Sequence, residues 1–155
     1  MEDLLLRLRP IVKFKDDKEF QEVAHYIQHM LFLDDWFIKF ELVDAPIDTS
    51  KELGIDTEAM GLCTYDYGNH EAVIKVQNCA NDEDEILVSS NIALLDLIHE
   101  ELHLKEEYIS LSDCYKDIDD KDTDIDKVHK HMYLEKMAKS IFMALTGVTK
   151  DFFMK

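Results

Sequence analysis

The chain is poor in the residues that interrupt regular structure. Two prolines and four glycines in 155 residues leave little to break a helix, so long helical segments are expected. The three cysteines, Cys63, Cys79 and Cys114, are odd in number, far apart and without a C-x-x-C pair. That usage argues against a disulfide framework and a thiolate metal site, and fits free thiols in a reducing cytoplasm. Basic charge is also short: 17 Lys and Arg stand against 34 Asp and Glu, a formal net charge of -17. Such a surface disfavours nucleic-acid phosphates and anionic membranes; the partner it would attract is a basic protein. No window approaches the roughly 18 apolar residues needed to cross a bilayer. The start, Met1-Glu2-Asp3-Leu4-Leu5-Leu6, lacks the basic and long apolar regions of a secretory signal. A cytoplasmic protein is expected.

What is present suffices for one core. Apolar residues make up 46% of the chain, and the length suits a single domain over 1–155 with no internal repeat. A helix is expected from about Asp16 to Leu33, capped by Asp16 with Glu19 three residues on. Its apolar stripe is Phe20, Val23, Ala24, Ile27, Met30 and Leu31; His25 and His29 fall on the opposite side and read as surface residues. Alternation from Trp36 to Val43 marks a half-buried strand with Trp36, Ile38, Phe40 and Leu42 inward. A polar connection over 44–61 leads to a short strand at Leu62–Tyr65 and a turn at Asp66-Tyr67-Gly68-Asn69. A strand over His70–Gln77 follows, with Ala72, Ile74 and Val76 alternating against Val73 and Lys75. After an acidic loop, a helix starts near Ser90 or Asn91, either a good cap, and continues to about Tyr108. It is apolar almost all round in its first half, so it is expected to be buried. The last helix spans about 125–146 and stops at Gly147. The fold class is α+β: a small mixed or antiparallel sheet, an N-terminal helix, a buried central helix and a C-terminal helix.

The central helix carries the chemistry. His99 and His103 lie four apart, so both imidazoles leave one face one turn apart, where a zinc ion can take a nitrogen from each. Glu100 stands one step round, able to reach a water without ligating the metal. This is the H-E-x-x-H arrangement of zinc peptidases. A shuffled chain of this composition would contain on the order of 0.03 such matches, and few would fall in the most apolar helix of the sequence. Unpartnered imidazoles would be costly to bury there.

Zinc in a catalytic site takes a third protein ligand and keeps one position open. The last helix offers Glu135, expected inside an apolar, core-facing stripe with Val128, Ala138, Phe142 and Leu145. A carboxylate in that setting needs a cation or strong hydrogen bonds. His131, one turn earlier, is the rival ligand, or else a substrate-contacting group, and His129 points off the stripe. Glu106 and Glu107 sit too near on the same helix to complete a tetrahedron. The alternating Asp120, Asp122, Asp124 and Asp126 suggest a calcium loop, but Ile125 replaces the required Gly and His131 the bidentate Glu, so a solvated loop is expected.

These pieces together resemble a family of small metallopeptidase-like proteins of bacteriophages and bacteria, allied in style to the SprT-like minimal zincins. The matching segments are Asp35-Trp36-Phe37-Ile38, Gly61-Leu62-Cys63-Thr64-Tyr65-Asp66, Leu95 through Leu104 around the metal motif, and Leu134-Glu135-Lys136-Met137-Ala138. They span most of the chain in order, although only the metal helix is highly specific, and Asp96-Leu97 departs from the small pair commoner in the family. The resemblance implies a zincin-like fold, zinc ligands at His99, His103 and Glu135, and Glu100 as catalytic base.

Two functions follow as expectations. The first is zinc-dependent hydrolysis of a peptide or protein substrate, with the His70–Gln77 strand offering its edge to an extended chain. His131, Tyr65 and Tyr108 are then candidate oxyanion donors. The second is a binding or inhibitor protein whose acidic surface engages a basic partner, with zinc structural or vestigial.

Overall fold

The computed structural model of the chain describes residues 8–48, 58–78, 92–105 and 124–154. Helix α1 runs over Asp17–Met30, and Asp16 caps it by accepting the Glu19 N–H at 2.8 Å, as the sequence leads one to expect. Phe20, Val23, Ala24 and Ile27 are buried, whereas Met30 is exposed. Gln28 is also buried; its amide donates to the carbonyls of Leu33 and Trp36, both at 2.9 Å, and so closes the turn that follows. That turn is a Schellman stop: Phe32 N–H donates to His29 and Leu33 N–H to Gln28, each at 3.0 Å. The left-handed position at its centre is held by Phe32, φ 57°, where glycine is the usual occupant.

Strand β1 (Phe37–Val43) is followed by two-residue strands β2 (Ile47–Asp48) and β3 (Glu58–Ala59), which pair with each other. The polar connection therefore contains a small ladder that alternation in the sequence did not reveal. Strands β4 (Gly61–Asp66) and β5 (Glu71–Gln77) form a hairpin. Asp66 organises its turn, with Oδ1 accepting the Gly68 N–H at 2.9 Å and the Asn69 N–H at 3.3 Å. The sheet order is β1-β5-β4, with β1 parallel and β4 antiparallel to β5. The expected open edge on the His70–Gln77 strand is thus corrected: β5 is central and its backbone is used on both sides. The reason is tertiary: Ala72, Ile74 and Val76 only mark the inward face, while β1, distant in sequence, pairs in parallel along the edge that β4 leaves open. Ile38 and Phe40 of β1 lie on the same inward face.

Helix α2 (Ala93–Leu102) packs against α1, β4 and β5, and continues as a 3₁₀ turn over His103–Lys105. It starts later than the Ser90–Asn91 pair, which lies outside the described residues; its N-cap is Ile92, with no side-chain cap. The backbone of the N-terminal segment replaces the cap, because Ala93 N–H donates to Val12 at 2.9 Å and Leu94 N–H to Ile11 at 3.1 Å. That segment is fixed in turn by Asn78, which is buried and exchanges two hydrogen bonds with the Phe14 backbone, 2.7 and 2.9 Å.

Helix α3 (Asp124–Thr146) packs on α2 through Leu134, Ala138 and Phe142 and ends at Gly147, whose φ is 77°. A short helix α4 (Asp151–Met154) folds Phe152 and Phe153 back onto Phe142, both rings at 5.6 Å. One apolar cluster joins Ile11 to Phe142 through all these layers. Among the described residues no helix is long and apolar enough to cross a membrane.

Phe32 is 81% exposed, so its ring contributes little packing against the strain of its backbone. Phe32→Gly is expected to stabilise the fold by about 1 kcal/mol, read as a higher urea midpoint at unchanged slope; a lower midpoint would show that the ring matters to the fold.

Candidate metal centre

The site grows out of the burial of α2. Leu94, Leu97, Ile98, Leu102 and Leu104 are buried, and the helix carries His99, Glu100 and Glu101 inward with them. His99 and His103, one turn apart, have ring centroids 4.9 Å apart, inclined at 74°. Glu100 Oε2 is 4.0 Å from His103 Nε2. One ligand-type atom from each of His99, Glu100 and His103 lies within 4.8 Å of the others, a spacing able to hold a metal ion. The two imidazoles are donors that suit zinc, and the carboxylate between them is near enough to meet a water on the ion.

The hairpin closes the site from the sheet side. A Cβ on Gly61 would stand 2.8 Å from both Cγ and Oε1 of Glu100, so the absence of a side chain there lets the first residue of β4 rest directly on the carboxyl-bearing chain. Among the described residues β4 pairs only with β5, and Glu100 lies over the face of its first residue. At the far end of the hairpin the Tyr67 hydroxyl donates to the carbonyl of His103 at 3.1 Å.

Helix α3 supplies the third side. Glu135 Oε1 lies 3.8 Å from His99 Nδ1, and His131 sets its ring 5.2 Å from that of His99. The expectation that Glu135 is embedded in the core is corrected: its side chain is 47% exposed, and its other oxygen is 3.9 Å from Lys139 Nζ. At about 100° per residue, the buried stripe of Leu134, Ala138 and Phe142 leaves position 135 at its rim. His131 is exposed on the same rim. Both candidates therefore reach His99, while neither belongs to the compact His99–Glu100–His103 group.

Of the remaining candidates, Tyr65 is 42% exposed and its ring lies 4.5 Å from that of Tyr67, tilted at 41°. His25 and His29 lie on the surface, His25 edge-on to Phe40 and His29 bonded to Asp34 at 3.0 Å. Glu106, Glu107, Tyr108, the aspartates at 120 and 122, Cys79, Cys114 and the side chains of Asp124, Asp126, Val128 and His129 lie outside the described residues.

Sequence reasoning passed over Glu101. It is fully buried, and its carboxyl oxygens have no hydrogen-bond partner among the described residues; burial pushes its pKa well above the ordinary glutamate range. The available signal was its spacing, since it follows Leu94, Leu97 and Ile98 on one apolar stripe.

Comparison of the chain with protein-family models, curated proteins and solved structures gave no match.

The Glu101 carboxyl makes stability fall with pH. Above the unfolded pKa the unfolded chain has lost this proton while the folded chain keeps it, so folding takes up a proton and is opposed by rising pH until the raised pKa is passed. The slope approaches about 1.4 kcal/mol per pH unit. In metal-free buffer, Glu101→Gln should flatten the loss of stability that sets in as pH rises above the ordinary glutamate range. Identical pH profiles for the two proteins would contradict this account.

Proposed function

We propose that the chain is a zinc-dependent peptidase with a minimal zincin-like architecture. The observation that supports this most is the convergence of His99, Glu100 and His103 within 4.8 Å on a buried helix, with the backbone of an edge strand laid against Glu100 at Gly61. Either feature alone has ordinary structural explanations. Their coincidence supports a reading in which Glu100 is an acid-base group between a metal-holding pair and a strand that an extended peptide can join.

His99 and His103 would hold the metal, with the third ligand drawn from α3. Glu135 is the choice on chemistry, a carboxylate 3.8 Å from His99, and His131 beside it is then free to meet the substrate. When bound, zinc supplies Lewis acidity toward the scissile carbonyl and acidifies the attacking water. Glu100 would serve as the base, able to accept a proton from the attacking water and to deliver it to the leaving amine nitrogen, the two transfers expected of a single carboxylate. Its mostly buried position beside Gly61 limits its rotamers and so orients the carboxylate. The substrate backbone would add to β4, which among the described residues pairs only with β5, and so run past Glu100 in an extended form. His131 and Tyr65 are the described side chains with a proton to donate to the developing oxyanion.

Glu100→Gln preserves shape while removing the base. The variant should keep the zinc content of the parent and lose roughly 10²–10⁴-fold in kcat/KM on a quenched-fluorescent peptide library. Undiminished cleavage by zinc-loaded Glu100→Gln, or no cleavage by the zinc-loaded parent, would contradict the assignment.

A further inference from the structure

We propose that Tyr67 is a positioning residue for His103, fixing the second metal-binding imidazole through the backbone of its own residue; this rests on the metal-binding role assigned above. The two histidines are not equally held. His99 sits inside α2, where the helical ladder and burial at 9% exposure fix it. His103 is the C-cap residue, where the α-helix tightens into a 3₁₀ turn. Hydrogen-bond geometry in a 3₁₀ turn is poorer than inside an α-helix. The His103 carbonyl receives its bond from the Tyr67 hydroxyl at 3.1 Å, across 36 positions of sequence.

Tyr67 is itself braced. Its ring meets Trp36 edge-on at 5.6 Å, and Trp36 is 3% exposed. On Trp36 lies His70, stacked at 4.8 Å with planes 3° apart, and His70 Nδ1 is 3.1 Å from Asp35 Oδ2. The His70 backbone is also tied down, since its carbonyl accepts the Phe37 N–H at 2.8 Å while its φ is 53°. The turn that carries Tyr67 is thus anchored to the start of β1, and the hydroxyl transmits that anchorage to the end of the metal helix. A chelate between residues four apart depends on the relative placement of their backbones, and outer contacts that orient ligands commonly change metal affinity by about 10–100-fold.

The test uses the full chain with Zn²⁺ and Co²⁺ as probes. Tyr67→Phe keeps the ring and its packing but removes the donor. Zn²⁺ affinity, measured by competition with a chromophoric chelator, should fall by about tenfold or more, and the visible Co²⁺ spectrum should change in intensity and position as the ligand geometry loosens. In a His103→Ala background the same substitution should change affinity by less than about twofold, because the positioned ligand is gone. A parent that binds metal, with Tyr67→Phe matching its affinity and Co²⁺ spectrum, overturns the positioning role and leaves the metal site standing. An equal loss in the His103→Ala background also overturns it, since the effect would then be general to the fold. A parent that takes up neither ion overturns both the metal site and this role.

Discussion

Helix α2 is the element on which the rest depends, because it must be buried and yet carries polar groups into the core. Its leucines and isoleucine face the sheet, α1 and α3, and a helix with apolar residues nearly all round has no stable place at a surface. Burial therefore drags His99, Glu100 and Glu101 inward, where each polar group needs a partner or a neutral form. The N-terminus of the helix is satisfied by the backbone of Ile11 and Val12 rather than by a side chain. Its position is consequently set by tertiary structure at one end and by the Tyr67 bond at the other.

The three polar groups answer that demand in different ways. His99 is flanked by Glu135 and His131 from α3. Glu100 is confined between the β4 backbone and His103. Glu101 finds no hydrogen-bond partner among the described residues, and its burial favours the neutral, protonated form. A helix that served packing alone would be more stable with an apolar residue at each of these positions, so the polar set weighs against stability and toward chemistry. Two separate parts of the fold converge on the His99–His103 turn, the hairpin from the sheet side and α3 from the other, while the N-terminal segment holds the opposite end of the helix.

Local signals were legible in the sequence wherever one residue type decides the backbone. Asp16 as a cap, the alternation of β1 and β5, the Asp66 turn and the Gly147 stop all follow from side-chain chemistry acting within a few residues. The His99-Glu100-x-x-His103 cluster was legible for the same reason, since a helix converts spacing into proximity. Features that rest on tertiary partners were not. Alternation cannot say whether a strand is central or at an edge, so the sequence of β5 suits either place. The core stripe of α3 is centred nearer Leu134 and Ala138 than Glu135, a shift of one position that depends on how α2 meets it. Ile92 as a cap position and the reach of Tyr67 to His103 are invisible because their partners lie tens of residues away.

The central claim is that one turn of α2 holds a metal ion through His99 and His103. It is tested most directly by the zinc content of the purified chain after equilibrium dialysis at neutral pH, beside a His99→Ala, His103→Ala variant. The account predicts about one zinc per chain in the parent and none above background in the variant, with both proteins folded. No zinc in the folded parent, or equal zinc in the variant, would contradict it.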